Sequence, residues 1–138
     1  MKVYLAGPMQ GIPNFNFPTF IAVAACLRGA GYEVFNPAER DIERHGTDIS
    51  ADNPNGSVAQ AEQDHKFSLR DALAEDTAFI CKEAEGIVML PGWERSYGAK
   101  AEHALAVALR HKVLYLDDET VEQIKFFHAL EKDNAHVA

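Results

Sequence analysis

The sequence predicts an α/β domain built on an open, mainly parallel sheet of four to five strands, with helices on both faces. Short β-rich runs alternate with stretches of helical period, the pattern that parallel sheets with crossover helices leave in a sequence. Glycine or proline marks most boundaries between them. The 138 residues suit one domain that buries about two thirds of its unfolded surface. No linker, repeat or low-complexity stretch divides the chain, so 1–138 reads as a single domain.

Val3 to Ala6 makes the first strand. Asn16 is placed to cap a helix from Phe17 to Arg28, with Pro18 in its first turn and Gly29 and Gly31 at its end. Glu33 to Phe35 is the second strand, stopped by Asn36-Pro37. The stretch from about 40 to 66 is polar, carries Gly46, Pro54 and Gly56 and shows no clear period. It reads as a long loop, either a lid or a plain insertion. Ser68 to Asp71 resembles a capping box opening a helix that reaches Glu83. Gly86 to Leu90 forms the third strand, and Pro91 to Arg95 a tight loop. Tyr97 to Arg110 is helical, Val113 to Leu116 is the fourth strand, and Thr120 to Lys132 the last helix. The end, about 133–138, is a polar tail.

Composition narrows the function classes. Thirteen Lys and Arg against 21 Asp and Glu leave a net charge of -8, with no basic cluster to displace counterions from a nucleic-acid polymer. A mononucleotide needs only a local anion site. No run approaches the about 18 apolar residues that span a bilayer, and Met1 to Pro8 reads as a strand rather than a signal peptide. Cys26 and Cys81 fall on predicted helices among apolar neighbours, as small buried hydrophobes in a reducing, cytoplasmic compartment. The six histidines have no ligand spacing, so neither a metal nor another cofactor is expected.

Two carboxylates stand out. At 100° per residue, Glu102 shares a stripe with Leu105, Ala106 and Leu109. On the preceding helix, Asp76 shares one with Leu69, Ala72, Leu73, Phe79 and Ile80. A carboxylate on a core-facing stripe is unfavourable unless it is paired, hydrogen-bonded or protonated. One such group has a structural explanation, such as Asp76 pairing with Arg70. Two on helices flanking the same strand point to a shared site. Adjacent buried carboxyls push their pKa values apart, leaving one as nucleophile and one as acid, the apparatus for glycosidic cleavage. A retaining mechanism separates them by about 5–5.5 Å.

With strand one central and strand three beside it, two loops converge at the carboxyl edge of the sheet. These are Gly7-Pro8-Met9-Gln10-Gly11 and Pro91 to Gly98. Gly7 allows close backbone approach, and the helix starting at Tyr97 offers free N–H groups to an anion. Tyr4, at the end of strand one, either holds Glu102 by a hydrogen bond or packs in the core. Ser96 is a helix cap that also has a hydroxyl for a phosphate. Trp93 either stacks on a base or plugs its loop. His103 and His111 read as solvent-facing.

Tyr4-Leu5-Ala6-Gly7-Pro8-Met9, Asp76 and Ser96-x-Gly98-x-x-x-Glu102 resemble the nucleoside 2-deoxyribosyltransferase superfamily. Leu90-Pro91-Gly92-Trp93-Glu94-Arg95-Ser96, running into Gly98 to Glu102, resembles a small phage- and prophage-associated domain within it. The likeness spans about 2–116. It implies a flavodoxin-like sheet and a Glu102 nucleophile that attacks C1′ of a deoxyribosyl group. It further implies Asp76 assisting base departure and Tyr4 orienting Glu102, with Gly7, Pro8, Met9, Trp93, Ser96 and Gly98 contacting substrate. The superfamily's transferases carry Asp where this chain has Ser96. A serine there resembles the 2′-deoxynucleoside 5′-phosphate N-hydrolases, where it contacts the 5′-phosphate. Gln10 stands where those hydrolases have Arg, and the spacing from Asp76 to strand three differs by about one residue, leaving Asp71 as a substitute. The resemblance implies a homodimer or larger homo-oligomer. The resulting expectation is N-glycosidic cleavage of a deoxynucleoside or its 5′-monophosphate, hydrolysis rather than base exchange. The alternative is a nucleotide-binding module without catalysis.

Overall fold

A computed structural model describes the backbone of residues 1–137 and the side chains as far as Asp133. Its strands are β1 (Lys2–Ala6), β2 (Glu33–Phe35), β3 (Gly86–Met89) and β4 (Lys112–Tyr115). They form one open, all-parallel sheet in the order β2-β1-β3-β4. The helices are α1 (Phe17–Gly29), α2 (Pro37–His45), α3 (Val58–His65), α4 (Leu69–Lys82), α5 (Tyr97–Ala108) and α6 (Asp118–Val137). This is an α/β fold of the flavodoxin-like kind. Among the described residues, no helix is long and apolar enough to cross a membrane.

The inner strands alternate between two buried faces, as the two-residue period of a strand requires. Val3 and Leu5 of β1 pack with Phe17, Phe20 and Val23 of α1 and Val121 of α6. Tyr4 and Ala6 pack on the opposite side with Ile80 of α4 and Ala99 and Ala106 of α5. Leu5 and Phe20 are wholly buried, each worth about 1.5–3 kcal/mol relative to exposure. The chain runs outward from β1 to β2, then returns past β1 to β3. The strand order therefore reverses beside β1, which opens a crevice beyond the carboxyl ends of β1 and β3.

Four expectations are corrected. The stretch 40–66 is no single loop: α2 begins before it, and α3 lies inside it. Asn36-Pro37 stops β2 at Phe35 as read, and it also starts a helix. The Asn36 side chain accepts from Ala38 N at 3.0 Å, and Pro37 sits in the first turn, where its missing N–H is harmless. Asn16 precedes α1 in a left-handed conformation and makes no side-chain cap; its Nδ2 donates to Pro8 O at 3.0 Å. Cys26 and Cys81 are exposed on the outer sides of α1 and α4. The last helix starts at Asp118 and continues through the predicted tail to Val137. Ala138 lies outside the described residues.

The segment between α2 and α3 is ordered by the loop after β1. Gly11 N donates to Gly56 O and Asn14 N to Asn53 O, both at 2.9 Å, and Asn14 Nδ2 donates to Ser50 O at 2.7 Å. Gly56 is irreplaceable by geometry: at φ +60 its Cβ would stand 2.3 Å from Ile12 O. Asn14, Phe15 and Asn16 run successively through left-handed φ of 56°, 53° and 60°, a conformation that L-residues hold only when their surroundings fix it.

Candidate active site

Tyr4 is the last but two of the β1 residues and points into the α4–α5 face. Phe35 and Phe79 flank its ring, with centroids 5.5 and 6.4 Å away, so the phenol has one direction to extend. Its hydroxyl donates to Glu102 Oε2 at 2.5 Å, a short hydrogen bond. Glu102 is buried on α5 between Ala99 and Ala106, and Asp76 is buried on α4 between Ala72 and Ile80. Tyr4, Asp76 and Glu102 line one cavity of about 90 Å³.

The mouth of this cavity lies at the crevice. Gly7 brings the loop after β1 against the end of β3, where a Cβ would meet Leu90 Cβ at 2.7 Å. Met9, Ser96 and Gly98 also line the cavity. Ser96 caps α5, its Oγ accepting from Ala99 N at 3.2 Å, and the hydroxyl proton remains available for an acceptor. Ser96 and Gln10 also border a second, adjoining cleft of about 480 Å³, whose walls include Pro8, Arg95 and Lys125. Pro8 thus faces the cleft and not the inner cavity. Trp93 faces neither: it stacks on His103 with centroids 4.2 Å apart and lies 6.0 Å from Tyr115. His103 is half-buried and bonded to the Tyr115 hydroxyl at 2.7 Å, and His111 to Ile80 O at 2.7 Å, so neither is merely solvated.

Three residues of the site went unforeseen. Asp41 and Arg44 come from α2, and Glu75 neighbours Asp76 on α4. Arg44 reaches Asp41 Oδ1 at 3.2 Å through Nη1, Glu75 Oε2 at 3.0 Å through Nε and Asp76 Oδ1 at 3.7 Å through Nη2. The distances are those of ion pairs. The Asp76 contact is too long for a hydrogen bond and the other two fall short in geometry, so Arg44 Nε and Nη2, Asp41 Oδ1 and Asp76 Oδ1 stay buried without a hydrogen-bond partner. Arg40 completes the group by binding Glu75 and Glu43. The signal in the sequence was the Asn36-Pro37 helix start, followed by the i, i+3 spacing of Asp41 and Arg44.

Burial dominates the electrostatics. It pushes Glu102 up to about 8, with the Tyr4 hydroxyl opposing and Asp76 adding. It pushes Asp76 up to about 7, reinforced by Asp41 and Glu75 and opposed by Arg44 and Tyr4. Asp41 rises to about 6, again by burial, with Arg44 pulling down. The Tyr4 phenol is driven well above its usual range by burial and by both carboxylates. Burial therefore raises both central carboxyls towards neutrality. Among the described residues, no cluster of His, Cys, Asp and Glu is arranged to hold a metal ion.

Fold and site together define an α/β domain with a carboxyl-lined cavity at the switch point of its sheet. A family model described as Domain of unknown function (DUF4406) matches residues 1–115, and the chain belongs to that family. The matched span carries the whole sheet and Tyr4, Asp41, Arg44, Asp76, Ser96 and Glu102. No curated protein and no solved structure matches the chain.

Proposed function

We propose that this protein hydrolyses the N-glycosidic bond of a deoxynucleoside or its 5′-monophosphate through a covalent glycosyl intermediate on Glu102. The observation that carries the reading is the Tyr4–Glu102 hydrogen bond beside Asp76 in one cavity. The motif likeness to the nucleoside 2-deoxyribosyltransferase superfamily supplies the substrate class. In the first step the Glu102 carboxylate bonds to C1′ as the C1′–N bond breaks, and protonated Asp76 gives its proton to the departing base. In the second step water attacks C1′, the C1′–Glu102 bond breaks, and Asp76 takes the water's proton. Tyr4 holds the attacking carboxylate in line and stabilises its ionised form.

Room for the substrate divides between the two spaces. Small-ligand sites occupy roughly 300–1,000 Å³, so the inner cavity suits only the reacting part and the outer cleft the remainder. Ser96 borders both, and the outer cleft carries Arg95 and Lys125 alongside Asp118 and Glu122, with Lys125 3.9 Å from Glu122. Arg95 supports a 5′-phosphate there despite Gln10 standing where the hydrolases carry Arg. Ser96 favours hydrolysis over base exchange. A homo-oligomeric assembly and a phage or prophage setting belong to the same proposal, by resemblance alone.

The raised Glu102 favours one rival, a nucleotide-binding module, because a protonated carboxyl recognises a ligand without attacking it. Chromatography of a panel of deoxynucleosides and their 5′-monophosphates separates the two. The enzyme reading predicts free base from wild type and loss of release in Glu102→Gln. Binding without base release on long incubation supports the rival, and undiminished release from Glu102→Gln defeats the Glu102 mechanism.

A further inference from the structure

We propose that Arg44 is the positioning residue that governs the charge of Asp76. Asp76 is enclosed by Tyr4 from β1, Asp41 and Arg44 from α2, Glu75 from its own helix and Glu102 from α5. Three of these five neighbours are carboxyls, and one is a phenol. Among the described residues, Arg44 is the one cation that an ion pair brings to Asp76, because Arg40 is held by Glu75 and Glu43.

The geometry of the fork explains how it acts. Glu75 and Asp41 lie at ion-pair distances of 3.0 and 3.2 Å from Nε and Nη1, and Nη2 faces Asp76 at 3.7 Å. Nη2 and Asp76 Oδ1 are both buried and neither makes a hydrogen bond, so their charges answer each other by proximity alone. Arg44 thus offsets the like charges of Asp41 and Glu75, and Asp76 can both hold and release a proton near neutrality. An acid that must do both is most effective when its pKa lies near the working pH. The catalytic consequence rests on the reading above, whereas the charge of Asp76 is measurable without it.

The test is a carboxyl-carbon NMR titration of Asp76 and Glu102 in the full chain. Wild type is compared with Arg44→Met, Arg44→Gln and Arg44→Lys. Arg44→Gln keeps a polar side chain in the same surroundings, and so guards against a folding failure in Arg44→Met. Both neutral variants raise the Asp76 midpoint by about one to three pH units, the range that an adjacent opposite charge commands. Glu102 moves by less, and Arg44→Lys restores Asp76 towards its wild-type midpoint. An unmoved Asp76 overturns the proposal, as does an equal upward shift of both carboxyls. Loss of fold in both neutral variants assigns Arg44 to structure alone and also overturns it. In a base-release assay the alkaline limb moves upward in the neutral variants. A wild type that releases no base ends the glycosidase reading and leaves the titration to decide Arg44.

Discussion

Tyr4 and Glu102 meet where neither has water to fall back on, so each depends on the other. Removing the phenol oxygen with Tyr4→Phe leaves Glu102 buried without its donor and pushes its pKa further up. A hydrogen bond to a charged group contributes about 1.5–3 kcal/mol, so kcat/KM for base release at neutral pH falls about tenfold to a hundredfold. The pH dependence follows from the two carboxyls. Glu102 must be ionised to attack, which fails as pH drops below about 8, and Asp76 must be protonated to donate, which fails as pH rises above about 7. Activity is therefore a narrow bell with its maximum between these values, and Tyr4→Phe lowers the maximum and moves the alkaline limb upward. Glu102 and Asp76 were legible in the sequence because each interrupts an apolar helical stripe. Asp41 was not, because its helix buries only Pro37, Ala38 and Asp41 itself, which leaves no apolar period to interrupt. Arg44 acts across elements, and no local pattern reports that.

At the scale of elements, the cover of the cavity is the segment from Gly46 through Phe67. Ile49, Val58 and Phe67 line the cavity from it, and it is clasped to the loop after β1 at Gly56, Asn53 and Ser50. Gly56→Ala places a Cβ against the Ile12 carbonyl at a left-handed φ, so the clasp has to open. The expected loss is about 1–3 kcal/mol of stability. Hydrogen exchange accelerates in residues 46–57 and around Asn14 and leaves the β1 and β3 amides protected; unchanged exchange at the clasp contradicts this role. The strands and the helices α1, α4 and α5 were legible from period and caps, Ser68 and Ser96 capping as expected. The cover was not. Its order comes from backbone bonds to a distant loop, which composition does not encode.

Taken as a whole, the molecule stores unfavourable charge burial in one place, and its stability reflects that. Asp41, Asp76 and Glu102 have midpoints of about 6, 7 and 8 in the folded chain and ordinary carboxyl values, about 4, once unfolded. Between those limits the folded chain holds protons that the unfolded chain has released. Stability from these groups is fully present below about pH 4 and is lost progressively as pH rises from there through the folded midpoints, up to about 8. Tm is accordingly higher near about pH 5.5 than near about pH 8.5, and Glu102→Gln narrows the difference. A Tm that rises towards alkaline pH contradicts the burial account. The order β2-β1-β3-β4 puts this charge at the sheet's switch point, where a ligand can draw on it.

The most direct measurement is mass spectrometry of the protein quenched in acid during turnover of a 2′-deoxynucleoside 5′-monophosphate, followed by peptide mapping. The account predicts a deoxyribosyl 5-phosphate adduct on the peptide carrying Glu102, located on that side chain and absent from Glu102→Gln. Base release with an adduct on another residue, or with none on Glu102, contradicts it.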